Sequence, residues 1–434
     1  MKISGWRGIA LCGGAGRRYS GRVRMGAIRN GGQGTVFTVL WVVFFLHGMT
    51  PGFWVPALTN ILNARGLGGW VPAAFMVPPL CSLVSPLLGG ALADQRMSAD
   101  RLFAWSAVVC AGFLAAAFGA LEAGWHPLWF IVLLGGYSLF AGPGWGLLAT
   151  ISLTHLEHGE RNFPLVRVGA TVGWVAAGLL CGYVLAVDNS PWAGQISAVV
   201  RLAGGLLGFL LPHTPPLGSA GSWRSRLGLD AFQLLKQRDP CVFFTVTMLF
   251  SIPLSALYMY GPEFLKVLGD EHPTGTMTVA QVLEIGAMVA VGWVMARYRV
   301  KTVLLWALGV SALRFWMSAV SGMNGVIGWH IAGVALHGIC YTFYFITAQV
   351  FLDRRVDPGL KGQAQGLLVM VSSGLGPLVG SWLCGWLRVH CVTADGRGWD
   401  VFWTVLGVMI ALCFVLFWLF YQGKKGEERA NTVD

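Results

Sequence analysis

Charged side chains are scarce in this chain. They make up 11% of its 434 residues, whereas an average soluble domain carries about 25%. Apolar residues account for 55%, and a soluble protein of this length has too small an interior to bury so much apolar surface. The composition therefore excludes the soluble classes and predicts an all-α polytopic membrane protein, because helices satisfy their own backbone hydrogen bonds in lipid.

The chain also lacks the short motifs of common enzymes and metalloproteins. It has no Cys-x-x-Cys pair, no Cys/His cluster with metal-ligand spacing, and no zinc-protease or dinucleotide-binding signature. The glycine-rich run at 12–18 lacks the Gly-Lys-Ser/Thr ending of a phosphate loop. Nine cysteines are scattered, mostly within apolar runs, and we interpret them as small core residues. We therefore expect no enzyme activity, no metal and no cofactor.

Twelve stretches are apolar over about 20 residues, the length that spans a bilayer. The connections between them are short, except for a linker at 212–240 that opens with three prolines and divides the stretches into six and six. Amphipathic spacing within this linker predicts a short surface helix over 227–237. The predicted spans are 36–60, 68–93, 102–121, 127–152, 163–186, 192–211, 241–265, 276–296, 302–321, 327–350, 362–387 and 399–421.

This pattern divides the chain into five parts. The two larger parts are six-helix bundles, and the other three are the linker and two tails. We predict a basic N-terminal tail at 1–35, a first bundle at 36–211, the linker at 212–240, a second bundle at 241–421, and a C-terminal tail at 422–434.

Lysine and arginine are distributed unevenly over the predicted connections. Of the 30 in the chain, 23 lie on the side of the two termini and the linker, 4 lie on the other side, and 3 lie within spans. Cytoplasmic loops carry the excess of positive charge, so we predict a multi-pass protein of the cell inner membrane with both termini cytoplasmic. The same rule accounts for the net charge of +11. We therefore expect the lipid bilayer as the partner of the basic residues, and no nucleic acid.

Two six-helix halves with cytoplasmic termini and a long middle loop fit the major facilitator fold. In that fold the halves flank a site near the bilayer midplane. The connection after the second span reads Gly90-Ala-Leu-Ala-Asp94-Gln95-Arg96, which resembles the superfamily's Gly-x-x-x-Asp-Arg/Lys loop, although Gln95 replaces the usual basic residue. The architecture predicts a secondary transporter.

Polar groups in hydrocarbon are costly, so those inside predicted spans are candidate functional residues. Glu284 is the one carboxylate deep within a span, and Gln281 lies one turn earlier on the same face. We interpret Glu284 as a group that binds solute or exchanges protons, or as the partner of an arginine. Arg167, Thr171 and Trp174 lie along one face of span 5 and suit a flat polar ligand.

Four further polar residues lie within predicted spans. His337 and Tyr341 share a face of span 10, where a histidine is either a core residue or a ligand contact. Arg314 needs a partner, and we expect Glu284 or an interfacial carbonyl oxygen to provide it. For Arg201 no partner is evident, so we expect either a side chain that extends to the lipid surface or a shifted span 6.

At these positions the sequence resembles the nucleoside:proton symporters of the major facilitator superfamily. The resemblance runs from about residue 36 to residue 421. Its motifs are ADQRMSADRL (93–102), FPLVRVGATVGW (163–174), LPHTPP (211–216), LGLDAFQLLK (227–236), QVLE (281–284), ARYRVKTV (296–303), ALRF (312–315), LHGICYTF (336–343) and GQAQGLLVMVSSGLGPLVGSW (362–382).

The resemblance implies import of nucleosides driven by the proton gradient. We hypothesise that Glu284 is the proton site, because a proton removes its charge from the low-dielectric interior, and we expect a monomer. The resemblance also implies that the substrate site is built from the polar and aromatic residues of spans 5, 7, 8 and 10. These are Arg167, Thr171, Trp174, Ser255, Tyr258, Gln281, Glu284, His337 and Tyr341.

The chain departs from the family pattern at several of these positions. Ser255 and Tyr258 stand where the best-known members carry Gln and Asn, and Thr342 stands where many carry an acid. Phe345 replaces an Asn of some members. These departures keep two alternatives open: a sugar or glycoside symporter of the same fold, and a membrane receptor that binds solute without transporting it.

Overall fold

A computed structural model of the chain describes residues 32–86, 89, 92–93, 96–157, 159–216, 229–356 and 361–423. Within these ranges all regular structure is helical. Several predictions lie outside them: the tail before residue 32, the loop residues Asp94 and Gln95, the linker at 217–228, and the tail from residue 424 onwards.

The α-helices that the described residues form in the first half number eight, and several of them are pieces of one span. Prolines separate the pieces because proline lacks the N–H group that the preceding turn requires: Pro51 lies near the end of the first helix and Pro143 precedes the sixth. The helices are α1 (Gln33–Trp54), α2 (Leu58–Ala64), α3 (Val71–Ser82), α4 (Ala99–Glu122), α5 (Pro127–Ala141), α6 (Gly144–His155), α7 (Gly159–Leu179) and α8 (Trp192–Gly208).

The second half follows a short 3₁₀ helix at Leu229–Lys236, whose Ala231 is fully buried. Pro253 interrupts the first span of this half at Ser255. The helices are α9 (Arg238–Leu254), α10 (Ala256–Val267), α11 (Pro273–Thr276), α12 (Val279–Arg297), α13 (Val300–Asn324), α14 (Ile327–Arg355), α15 (Lys361–Val369), α16 (Gly376–Cys391) and α17 (Trp399–Phe420).

Ten helical stretches in the described part of the chain are long and apolar enough to cross a membrane. The predicted second and sixth spans correspond to the shorter α3 and α8, of 12 and 17 residues. A 17-residue helix is about 26 Å long, close to the hydrocarbon thickness, so α8 also fits a crossing. Within the described residues, helical segments therefore lie at all twelve predicted positions.

Within each half, helices pack through apolar and small residues. Helix α1 lies against α7 and α8 in the first half, and α13 lies between α14 and α17 in the second. The packing of α8 against α1 corrects one prediction, because Arg201 is buried inside the first half. Its guanidinium Nη1 donates to Nδ1 of His47 over 2.6 Å. The prediction of a side chain reaching the lipid surface was wrong.

The two halves are joined at one end of the bundle, near the helix ends for which the lysine and arginine distribution predicts an outside location. The Thr59 hydroxyl donates to the Met259 carbonyl, and the Ser381 hydroxyl donates to the Phe75 carbonyl over 3.1 Å. Lys266 donates to the side chain of Asn189 from the first half. At the opposite end, no side-chain hydrogen bond joins the halves among the residues described.

Candidate functional site

A hydrogen bond between α12 and α10 forms the centre of the candidate site. Gln281 is buried, and its Nε2 donates to the Tyr258 hydroxyl over 2.6 Å. Tyr258 follows the helix break at Ser255 by one turn. The Trp174 ring of α7 lies with its centroid 5.5 Å from that of Tyr258. Residues from both halves therefore meet at this point.

An aromatic stripe on α14 extends the site. The His337 ring lies 6.1 Å from Tyr258, edge to face, and 5.5 Å from Tyr341. Tyr341 lies 4.7 Å from Phe345. The spacing of four residues places these three side chains above one another on one helix face. The site therefore offers both flat ring faces and polar edges.

Glu284 and Arg167 interact electrostatically across the boundary between the halves. Tyr341 is within electrostatic range of both charged groups. Among the described residues no direct ion pair joins the two. The position of Glu284 depends on Gly338 of α14, because a Cβ at Gly338 would overlap the backbone of Ala280 and Glu284. The glycine lets α14 approach α12 closely enough to place Tyr341 beside the carboxylate.

Trp145 of α6 belongs to the same region, although the sequence pattern does not single it out. The Arg167 guanidinium carbon lies 5.9 Å from the centroid of the Trp145 ring. Trp145 is 43% exposed, and it is one of 20 tryptophans in the chain. No local signal separates it from the tryptophans that face outward. Only its place beside Arg167 does so.

Two predicted site residues are not brought into this cluster by contacts. The Ser255 Oγ lies against the position of Gly380 on α16, and it has no hydrogen-bond partner in the described part of the chain. Thr171 is half-buried on α7, between Arg167 and Trp174. Thr342 differs from its neighbour, since it is fully buried while Tyr341 is 40% exposed. Thr342 therefore does not occupy the stripe formed by Tyr341.

The expectation that Arg314 pairs with Glu284 was wrong. Arg314 is buried, its Nε donates to Ser311 over 3.4 Å, and its guanidinium carbon lies 4.1 Å from the Phe315 ring centroid. It also interacts electrostatically with Cys340 and Tyr258. The reason is geometric: Arg314 of α13 points into the second half behind α10 and α14, whereas Glu284 faces the first half.

This arrangement suits a flat, polar, uncharged solute. The Oε1 of Gln281 and Nδ1 of His337 are buried without hydrogen-bond partners among the described residues, so both have free capacity for a ligand. Arg167 supplies donors, Glu284 supplies acceptors, and the aromatic rings supply faces for stacking. The described residues contain no group of side chains that could hold a metal ion.

Comparison with known proteins identifies the family. The model of the nucleoside H⁺ symporter family matches residues 35–426. The chain belongs to this family. The family consists of transporters rather than enzymes, as the sequence predicts, and the resemblance of the sequence motifs to these symporters is confirmed.

Relatives from Escherichia coli K12 match over nearly the whole chain. YegT, named as a candidate nucleoside transporter, is 31% identical, with 90% of this chain and 95% of YegT covered. A xanthosine permease is 27% identical, with 91% and 98% covered. The nucleoside permease NupG is 25% identical, with 88% and 95% covered.

Solved structures confirm the major facilitator fold of this symporter. The crystal structure of a point mutant of NupG superposes with a TM-score of 0.82 at 22% identity, covering 89% of this chain and all of the other. The D-xylose-proton symporter superposes with a TM-score of 0.68 at 16% identity, covering 91% and 98%. At these identities the likeness concerns the fold alone.

Proposed function

We propose that this protein imports nucleosides together with protons by alternating access of a central site to the two sides of the membrane. The observation that carries the proposal is the meeting of Arg167 and Trp174 from the first half with Tyr258, Gln281 and Glu284 from the second. A solute bound here contacts both halves at once. Its binding can therefore be coupled to their relative movement.

A nucleoside matches the chemistry of these side chains. Its flat base stacks on Trp174 or Tyr341, and the amide-like base edge bonds Gln281 or Arg167. The ribose hydroxyls have acceptors in Glu284 and in the Thr171 hydroxyl. His337 adds a buried polar edge near the base. Ser255 remains in the proposed set on the family resemblance alone.

Glu284 is the proposed proton site. Protonation removes its charge and hence its attraction to Arg167, so the loaded carrier moves less charge through a low-dielectric region. A charge that crosses 100 mV exchanges about 2.3 kcal/mol, which corresponds to a concentration ratio of about 50. With Thr342 in place of an acid, the carboxylate that acts electrostatically on Tyr341 is that of Glu284.

We further propose the cell inner membrane as the location, with both termini in the cytoplasm, and a monomeric carrier. The lysine and arginine distribution supports the orientation. In that orientation, the end of the bundle where Lys266 donates to Asn189 across the two halves faces outward.

The experiment is uptake by proteoliposomes with an imposed pH gradient. Wild-type protein is expected to exchange labelled uridine or adenosine without a gradient and to accumulate it with one. Glu284→Gln is expected to exchange but not to accumulate, because it cannot lose a proton. Full accumulation by Glu284→Gln rules out Glu284 as the proton site. Glu122→Gln is the matched control, since Glu122 is half-exposed at a helix end and pairs with Arg65.

The same preparation separates the two alternatives. A panel of unlabelled competitors distinguishes nucleosides from sugars: displacement by sugars alone contradicts the proposal. Nucleoside binding without any exchange favours a receptor and also contradicts it. Exchange that is competed by nucleosides and unaffected by sugars supports it.

A further inference from the structure

Trp145 lies between Arg167, at the boundary of the halves, and a buried polar cluster in the first half. On one side Arg167 lies over its ring, with 5.9 Å from the guanidinium carbon to the centroid. On another side the His47 ring of α1 meets it edge to face, with a centroid separation of 4.5 Å and an interplanar angle of 86°. The indole is thus held by two different helices.

The contact between Trp145 and His47 depends on the neighbouring Gly144. A Cβ at Gly144 would overlap the His47 ring at 2.7 Å, so α6 can approach α1 only with glycine there. His47 is itself fixed, because its Nδ1 accepts from Arg201 over 2.6 Å. Arg201 and His47 are both buried, and Phe103 packs beside them. Trp145 therefore rests on a support that has little freedom to move.

A Trp145 ring that is fixed in this way restricts the side chain of Arg167, which lies over it. An arginine side chain has several rotamers. If packing already fixes one of them, ligand binding no longer costs the entropy of ordering that side chain. The face of an indole is the preferred aromatic partner of a guanidinium, and the attraction is larger where water is excluded. An Arg167 held over the Trp145 ring keeps its charge within electrostatic range of Glu284 before any solute arrives.

We propose that Trp145 is a positioning residue for nucleoside binding: it orients Arg167 toward Glu284 and the solute, with the Arg201–His47 pair as its anchor. The proposal rests on the proposed function, because it assigns Arg167 to the solute. It goes beyond that function in extending the site into α6 and into the interior of the first half. It also gives Arg201 a role.

Substitutions at Trp145 separate the aromatic face from simple bulk. Trp145→Leu keeps apolar volume and removes the π face, and we expect the KM for nucleoside exchange to rise about 5- to 30-fold with little change in maximal rate. Trp145→Phe keeps an aromatic face and is expected to restore most of the affinity. Trp293→Leu is the matched control: the Arg297 guanidinium carbon lies 6.0 Å from the Trp293 ring centroid on the surface of α12, away from the site.

A double substitution tests whether Trp145 acts through Arg167. If it does, Trp145→Leu adds little to the KM of Arg167→Lys, so the two effects are strongly non-additive. Additive effects, or a wild-type KM for Trp145→Leu, overturn the proposal. A loss of packing alone affects Leu and Phe alike and lowers the melting temperature of the purified protein, and that outcome also overturns it.

The outcomes distinguish this proposal from the function on which it rests. Wild-type protein that exchanges no nucleoside overturns both. Wild-type exchange that is weakened by Arg167→Lys but unaffected by Trp145→Leu overturns only the role of Trp145. Exchange weakened by both variants, non-additively, supports both.

Discussion

Arginine is used differently in the interior of each half and at the boundary between the halves. Arg201 and Arg314 are buried within one half each, and their hydrogen bonds go to neutral groups, His47 and Ser311. Arg167 lies at the boundary, where its electrostatic partner Glu284 belongs to the other half. All three lie in apolar spans, yet only the last has an acidic partner among the described residues.

The two kinds of arginine differ because the halves move relative to each other, whereas the interior of each half moves as one unit. A pair inside one half travels with that half as a rigid unit and keeps its partner in every conformation. A pair across the boundary changes its geometry whenever the halves move, so protonation or a bound solute can bias that movement. We therefore expect changes inside a half to affect stability most, and changes at the boundary to affect transport most.

The largest effect on stability is expected when only one partner of the buried Arg201–His47 pair is removed. His47→Leu leaves the Arg201 guanidinium buried without its acceptor, and removing one partner of a buried charged group costs about 3–5 kcal/mol of stability. Thermal unfolding of the purified protein measures this cost. The double variant His47→Leu/Arg201→Leu removes the charge as well and should recover most of the loss. A double variant as unstable as the single one contradicts this view.

The next effect concerns the boundary. Arg167→Gln removes a charged donor from the solute and from Glu284, and hydrogen bonds of charged groups contribute about 1.5–3 kcal/mol. Nucleoside exchange should fall about 10- to 100-fold while the melting temperature stays near the wild-type value. A large fall in melting temperature with normal exchange would place Arg167 with the interior arginines and remove the distinction.

A smaller effect on nucleoside affinity is expected from loss of the hydrogen bond between Gln281 and Tyr258. Tyr258→Phe leaves the buried Gln281 without its acceptor, and the loss of one such bond corresponds to about 1–1.5 kcal/mol, or a KM raised about 5- to 10-fold. Tyr344→Phe is the control, since its hydroxyl bonds Thr247 within the second half over 3.0 Å. Equal changes in KM for the two variants contradict a specific role for Tyr258.

The smallest effect is expected from Ser311→Ala. The Arg314 Nε–Ser311 Oγ distance of 3.4 Å is at the long limit of a hydrogen bond, so its loss should cost under about 1 kcal/mol. The Phe315 ring beneath the guanidinium remains in place. Unfolding measurements that find a loss above about 2 kcal/mol would show that Ser311 holds Arg314 more firmly than the geometry indicates.

The sequence alone determined the class of the molecule and most of its candidate polar residues. Hydropathy is a local property, so twelve apolar stretches of the right length predict the crossing helices directly. A polar side chain in such a stretch is costly, and this cost is enough to mark Arg167, Gln281, Glu284 and His337 as candidates. Proline positions likewise indicate the end of the first half at the linker.

Only the tertiary structure decided which of these groups meet. For Arg201 the sequence left open a side chain at the lipid surface or a shifted span, and the side chain lies against His47. Arg314 lies behind the helices that carry Tyr258 and His337 rather than beside Glu284. Trp145 became a candidate solely through its two neighbours. Partner choice depends on how helices cross, and that depends on glycine contacts such as those at Gly144 and Gly338 between segments far apart in the chain. Hydropathy reports whether a helix is in lipid, whereas the identity of a partner is a property of two helices together.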